Sequence, residues 1–108
     1  MNANARRART LAELQPYIDR ARAFSGWTFD GLNVRRFGPP LPWDYELLAH
    51  DYACRARAVL DLGTGGGEVL ARIVAGIGAR VVATEEWHVN APIAAGRLRP
   101  LGDRKSVV

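Results

Sequence analysis

The chain has 108 residues, of which 48% are hydrophobic, and its formal net charge is +4 at pH 7. This length allows at most one domain, and this hydrophobic content supports a packed core, which excludes wholesale disorder. Because no apolar run approaches a membrane span and the first residues do not resemble a signal peptide, we expect a cytoplasmic protein with no membrane association. The single cysteine, Cys54, lies in no metal-ligand spacing, so no metal site is expected.

Residues 1–56 are predicted to form a lead-in of helices and loops. Thr10 and Glu13 fit a capping box, and the apolar residues that follow share one face at helical spacing. Because proline fits badly inside a helix, the regular part of this helix is expected to begin near Pro16, with the proline in its first turn. A Ser-Gly pair at 25–26 would end it.

Turn signals dominate the segment 25–42. Asp30 followed by Gly31 fits either a short hairpin or a helical turn, and the sequence does not decide between them. A second helix is expected over 43–54, opened by a proline. Trp43 and Tyr45 at its start fit core packing better than the wall of a ligand pocket.

From residue 58 onward the pattern is that of alternating strands and helices. The apolar run 58–62, bounded by glycine, predicts a buried parallel strand. A helix over 68–79, a strand over 80–85 and a helix over 90–99 capped by Asn90 follow it. This order predicts an α/β fold, namely the opening β-α-β-α of a doubly wound parallel sheet.

A glycine-rich loop joins the first strand to its helix, and residues 61–67 read Asp-Leu-Gly-Thr-Gly-Gly-Gly. Glycines allow a positive φ and let a ligand lie against bare backbone. A dinucleotide fingerprint begun at Gly63 would end on Glu68, whose carboxylate would repel a pyrophosphate. S-adenosylmethionine carries no phosphate; its site needs glycines, an acid near the cationic end and a second acid for the ribose. Asp61 and Glu85 have the spacing for these two acids.

The pattern Asp61-x-Gly63-x-Gly65-x-Gly67, with Glu85 closing the next strand, resembles the two cofactor motifs of class I (Rossmann-like) S-adenosylmethionine-dependent methyltransferases. The resemblance covers about residues 38–102. It implies a seven-stranded doubly wound sheet, S-adenosylmethionine as cofactor and methyl transfer to an acceptor, for which a small molecule is favoured over RNA or protein. In this family the residue after the ribose acid is usually aliphatic, whereas here it is Glu86.

Each candidate site residue receives a role. Asp61 is expected to polarise the methionine end of the cofactor, although it also fits a simple loop cap. Glu85 is expected to hold the ribose. Strand alternation points Glu85 and Glu86 to opposite sides, so only one can face the ribose, and the register of the strand end favours Glu85. Trp87 fits adenine stacking and packing equally well. The loop residues expected to approach the cofactor are Gly63, Thr64, Gly65 and Gly67.

Two other functions stay open. One is an NAD(P)-binding Rossmann oxidoreductase fragment, which Glu68 and the acid ahead of the glycines disfavour. The other is a non-enzymatic nucleic-acid-binding module. The chain has 15 basic and 11 acidic residues, but the arginines are scattered and do not form a stripe with aromatic residues between them. A solvated surface therefore explains the charge better.

The chain is expected to be a truncated, inactive part of such an enzyme. Only two strands can be counted, and the residues that orient an acceptor normally follow the fourth strand in the family. The segment 103–108 contains the only lysine of the chain, Lys105, and can be encoded by DNA that resembles a sequencing-library adapter. We therefore predict a partial S-adenosylmethionine-binding domain over 57–102 and a non-native tail over 103–108.

Overall fold

Parallel strands alternate with helices in the second half of the chain. The computed structural model describes residues 2–26, 35 and 37–108; the turn expected at 30–31 lies outside them. Its helices are α1 (Ala3–Arg22), α2 (Tyr45–Arg55), α3 (Glu68–Ile73), α4 (Asn90–Leu98) and a short 3₁₀ helix (Arg99–Leu101). Its strands are β1 (Ala58–Leu62), β2 (Arg80–Thr84) and β3 (Lys105–Val107).

Helix α1 begins earlier than predicted. Its N-cap is Asn2, whose Oδ1 accepts a hydrogen bond from the Ala5 N–H at 2.8 Å. Thr10 is not a cap; its hydroxyl donates to the Arg6 carbonyl at 3.0 Å inside the helix. The helix runs through Pro16 at the loss of one backbone hydrogen bond. None of its residues is buried.

Helix α2 packs through small residues instead of its aromatic ones. Asp44 caps it by accepting from the Leu47 N–H at 3.1 Å. Ala53 is buried, whereas Trp43 and Tyr45 are exposed, so the expectation of core packing for these two aromatics was wrong. Alanine brings the helix close to its neighbours.

A bidentate ion pair joins α2 to α3 on the surface. The guanidinium of Arg72 donates to both carboxylate oxygens of Glu46, at 2.8 and 2.6 Å. The hydrogen bond from Arg72 holds the pKa of Glu46 below its usual value. The pair therefore fixes the two helices most firmly while Glu46 is ionised, and this contribution is lost as the pH falls through the lowered pKa.

The sheet has the order β1-β2-β3, and both pairings are parallel. The chain is thus a mixed α/β structure, as predicted, but the count of two strands was too low. Lys105–Val107 pairs with β2, in register from Val81 opposite Lys105. We predicted a non-native tail outside the domain, yet this segment adds a strand, because backbone hydrogen bonding to a strand edge places few demands on composition. Its non-native origin stays a prediction.

The helices pack on one face of this sheet. Residues of α2, α3, α4 and β2 form one buried cluster, in which Val81 is fully buried. Val59 is paired with Val81 and packs against the same cluster. Strand alternation turns Leu60 and Leu62 to the opposite face, where they are 64% and 74% exposed. Among the described residues, none of the helices has the length and apolar character needed to cross a membrane.

Helix α3 is shorter than predicted, because the chain leaves the helix after Ile73 and turns at Gly76, where φ is +73°. Val74 and Ile77 in this turn are nevertheless buried. Helix α4 begins at Asn90 as predicted, but Asn90 is its first residue and not its cap, since the N-cap position is Val89. The Asn90 side chain does not cap α4 and makes its hydrogen bonds to another part of the chain.

Candidate functional site

A cavity of about 460 Å³ lies at the carboxyl ends of β1 and β2. Ligands of parallel α/β sheets bind at this end of the strands, and the volume is in the range of small-molecule sites. The described residues that line it are Gly63, Gly65, Glu85, Glu86, Trp87 and Asn90. The structure therefore brings three of the six predicted site residues together: Gly63, Gly65 and Glu85.

Two glycines of the loop suit close approach of a ligand. Gly63 and Gly65 have φ values of +72° and +64°, in the left-handed region that favours glycine. A Cβ added at Gly63 would meet no described atom within 4 Å, so the space beside its Cα is open. The backbone at Gly63 is thereby presented to the cavity.

Thr84, the last residue of β2, fixes the start of the loop. Its Oγ1 accepts a hydrogen bond from the Gly63 N–H at 3.1 Å, and its carbonyl accepts from the Thr64 N–H at 2.9 Å. The loop is therefore held by the neighbouring strand before any ligand binds. Sequence reasoning missed this residue, although a hydroxyl next to Glu85 at a strand end was a usable signal.

Thr64 carries an unusual polar atom. Its Oγ1 is the one buried side-chain nitrogen or oxygen among the described residues that lacks a hydrogen-bond partner. Leaving such a group unsatisfied costs free energy. A polar ligand is one way to satisfy it, but Thr64 is not among the described residues that line the cavity, so its place in the site stays a prediction.

Gly67 faces the protein instead of the cavity. It precedes α3 with φ of +77°, and an added Cβ would lie 3.1 Å from the Cα of Ala94 in α4. Its small size allows α3 and α4 to approach each other. Its expected approach to the cofactor has no support in this geometry.

The acids at the end of β2 differ in their surroundings. Glu85 is half-buried, and its Oε1 accepts a hydrogen bond from the Trp87 N–H at 2.8 Å. Glu86 is exposed, and both residues line the cavity. Because β2 ends at Thr84, strand alternation does not extend to these two acids. That Glu85 and not Glu86 faces the ribose stays a prediction.

Asp61 lies apart from this cavity. It is half-buried on the helix-covered face of β1 and lines a separate groove of about 350 Å³ with Tyr45 and Tyr52 of α2. Its carbonyl, and not its carboxylate, is the group that meets Thr84, at 3.5 Å. The role expected for its carboxylate stays a prediction.

Two polar side chains near the loop are buried, and one of them connects the site to the N-terminal segment. Asn90 is 1% exposed, and its amide contacts the backbone of Gly26: Oδ1 accepts from the Gly26 N–H at 2.6 Å, and Nδ2 donates to the Gly26 carbonyl at 3.3 Å. Glu68 is 8% exposed, and Arg97 lies 3.7 Å from its carboxylate. No local pattern could have linked Asn90 to a residue 64 positions away.

No protein-family model matches the chain, and no curated protein is detectably similar to it. Within residues 2–26, 35 and 37–108, no three histidine, cysteine, aspartate or glutamate side chains come together as a metal site would require. The features that define the candidate site are the glycine loop, the ends of β1 and β2, and the cavity between them.

Proposed function

We propose that the chain is the cofactor-binding part of an S-adenosylmethionine-dependent methyltransferase with a Rossmann-like sheet. The observation that carries the proposal is that Gly63 and Gly65, at positive φ, share one cavity with Glu85. The loop follows β1 and the acid follows β2, as a nucleoside site at the ends of two parallel strands requires. Strands β1 and β2 are adjacent and parallel, as they are in one half of a doubly wound sheet.

The cavity residues fit the groups of this cofactor. The open side of Gly63 accommodates an atom of the ligand against the backbone. Glu85 is held by the Trp87 N–H and still has carboxylate oxygens for a ribose diol. When bound, S-adenosylmethionine supplies a sulfonium methyl group for in-line displacement. The residues described here bind and orient it, which is the larger part of such catalysis.

The competing assignment is an NAD(P)-binding oxidoreductase. The loop spacing disfavours it, because the position of the third fingerprint glycine holds Glu68. The buried Glu68 carboxylate would repel a pyrophosphate placed over the loop, although Arg97 at 3.7 Å compensates part of its charge.

We infer a small-molecule acceptor in preference to RNA or protein, and a cytoplasmic location.

Titration calorimetry separates these assignments. We expect heat of binding with S-adenosylhomocysteine and none with NADH, both for residues 1–108 and for the product of an independently sequenced copy of the gene. Heat of binding with NADH and none with S-adenosylhomocysteine would support the oxidoreductase assignment instead of the methyltransferase. If the second protein continues differently after residue 102, the tail 103–108 is foreign; an identical tail would contradict that prediction.

Replacing Glu85 should weaken cofactor binding more than replacing Glu86. We expect Glu85→Gln to cost about 1.5–3 kcal/mol of binding free energy, the range for a hydrogen bond to a charged group. Glutamine retains an oxygen for the Trp87 N–H, so the turn at that position is preserved. Glu86→Gln, at the exposed neighbour, is the matched control and should cost far less. Calorimetry with S-adenosylhomocysteine measures both, and the opposite order would assign the ribose to Glu86.

A further inference from the structure

The chain just after α1 is docked into the body of the protein. Gly26 is buried, although no residue of α1 is. Both backbone groups of Gly26 are bonded to the side chain of Asn90, at 2.6 Å to Oδ1 and 3.3 Å from Nδ2. A side-chain amide that satisfies the N–H and the carbonyl of one distant residue forms a specific clamp.

The other side of the clamp is formed by the glycine loop and α3. A Cβ added at Gly66 would lie 2.8 Å from the Cα of Gly26 and would collide with the Glu68 carboxylate. Gly66 does not have a positive φ, so its backbone conformation does not demand glycine. Gly66 is small because the chain at Gly26 lies against it. Gly66, Glu68 and Asn90 together form a socket that Gly26 occupies. We call residues 24–26, which end on Gly26, the strap.

The socket and the cavity share structure. Asn90 is part of the socket and also lines the cavity, and Gly66 directly follows Gly65 of the cavity wall. Gly26 is not among the described residues that line the cavity. A ligand that orders Asn90 and the loop therefore orders the socket, and a docked strap holds both in the conformation that binds the ligand.

We propose that docking of the strap on the socket is coupled to ligand binding in the cavity. The identity of the ligand, an S-adenosyl nucleoside, rests on the proposed function. By thermodynamic linkage, the strap must strengthen ligand binding by the same factor as the ligand strengthens docking of the strap. The N-terminal segment is in this way a regulatory element of the site.

The test acts from the strap, away from the cavity. Gly26→Ala places a methyl group against the Glu68 carboxylate at φ of +73°, whereas Gly76→Ala introduces the same strain, also at +73°, where an added Cβ meets nothing within 4 Å. We expect Gly26→Ala to raise the Kd for S-adenosylhomocysteine about fivefold or more, the lower end of typical allosteric coupling. Gly76→Ala should leave the Kd unchanged.

A second pair of variants acts from the socket. Gly66→Ala should also raise the Kd, and Gly96→Ala, at a glycine whose added Cβ meets nothing within 4 Å, is its control. Hydrogen exchange at the Gly26 amide gives the reciprocal measurement: we expect it to slow on addition of S-adenosylhomocysteine and to accelerate in Gly66→Ala without ligand. A merely structural contact would show the second change and not the first.

The outcomes distinguish this proposal from the proposed function. If S-adenosylhomocysteine binds all variants equally and leaves exchange at Gly26 unchanged, the coupling is overturned and the cofactor assignment stands. If it fails to bind the unmodified chain, the cofactor assignment and its coupling are overturned, while faster exchange in Gly66→Ala would still establish the socket.

Discussion

Gly63→Ala is expected to weaken the binding of S-adenosylhomocysteine by more than about tenfold, because a methyl group would occupy the space in which the ligand contacts the loop. The protein leaves that space open: an added Cβ at Gly63 meets no described atom within 4 Å. The alanine therefore clashes with a bound ligand and not with the folded chain. Titration calorimetry measures the change in affinity.

The strain of a positive φ must be separated from this effect. Gly63 and Gly76 have φ of +72° and +73°, and both have open space where the Cβ would lie. Alanine in this conformation costs about 1–2 kcal/mol at either position. Gly63→Ala and Gly76→Ala should thus lower thermal stability equally, while only Gly63→Ala weakens binding. Equal affinities for the two variants would show that the ligand does not contact the loop at Gly63.

Residues 1–108 are expected to unfold below about 50 °C, at the low end for intact domains. Leu60 and Leu62 are 64% and 74% exposed on the face of the sheet opposite the helices, and β1 is an edge strand. A three-stranded sheet covered on one face buries little apolar surface, and the exposed strand is prone to association. A thermal melt followed by circular dichroism measures the melting temperature. Binding of a hydrophobic dye at room temperature measures the exposed apolar surface.

Two substitutions to threonine distinguish the exposed face from the core. Leu60→Thr should reduce dye binding and leave the melting temperature nearly unchanged, because the side chain is already exposed. Val81→Thr places a hydroxyl at a fully buried position of the adjacent strand and should destabilise the fold by about 1–3 kcal/mol. A cooperative transition well above 50 °C without dye binding would contradict the expected weakness of the chain.

The parts of this protein that depend on local interactions could be predicted from its residues. The apolar run 58–62 and the glycines after it predict β1 and the loop, since strand burial and positive φ are properties of the residues themselves. Glu85 could be placed in the site because consecutive parallel strands end at the same edge of a sheet. The starts of α3 at Glu68 and of α4 at Asn90 were predictable because helix-start signals are also local.

Which side chains contact each other depends on how the helices and strands pack, and local patterns did not predict it. Asn90 resembles a helix cap in sequence, but its amide is bonded to Gly26; Gly67 belongs to a cofactor motif, yet it contacts Ala94. Asp61 lines a groove beside α2, because strand alternation places it with Val59 on the helix-covered face of β1. These contacts join residues far apart in the chain, and a local pattern contains no information about such partners. Packing of the helices on one face of the sheet is the physical event that brings them together.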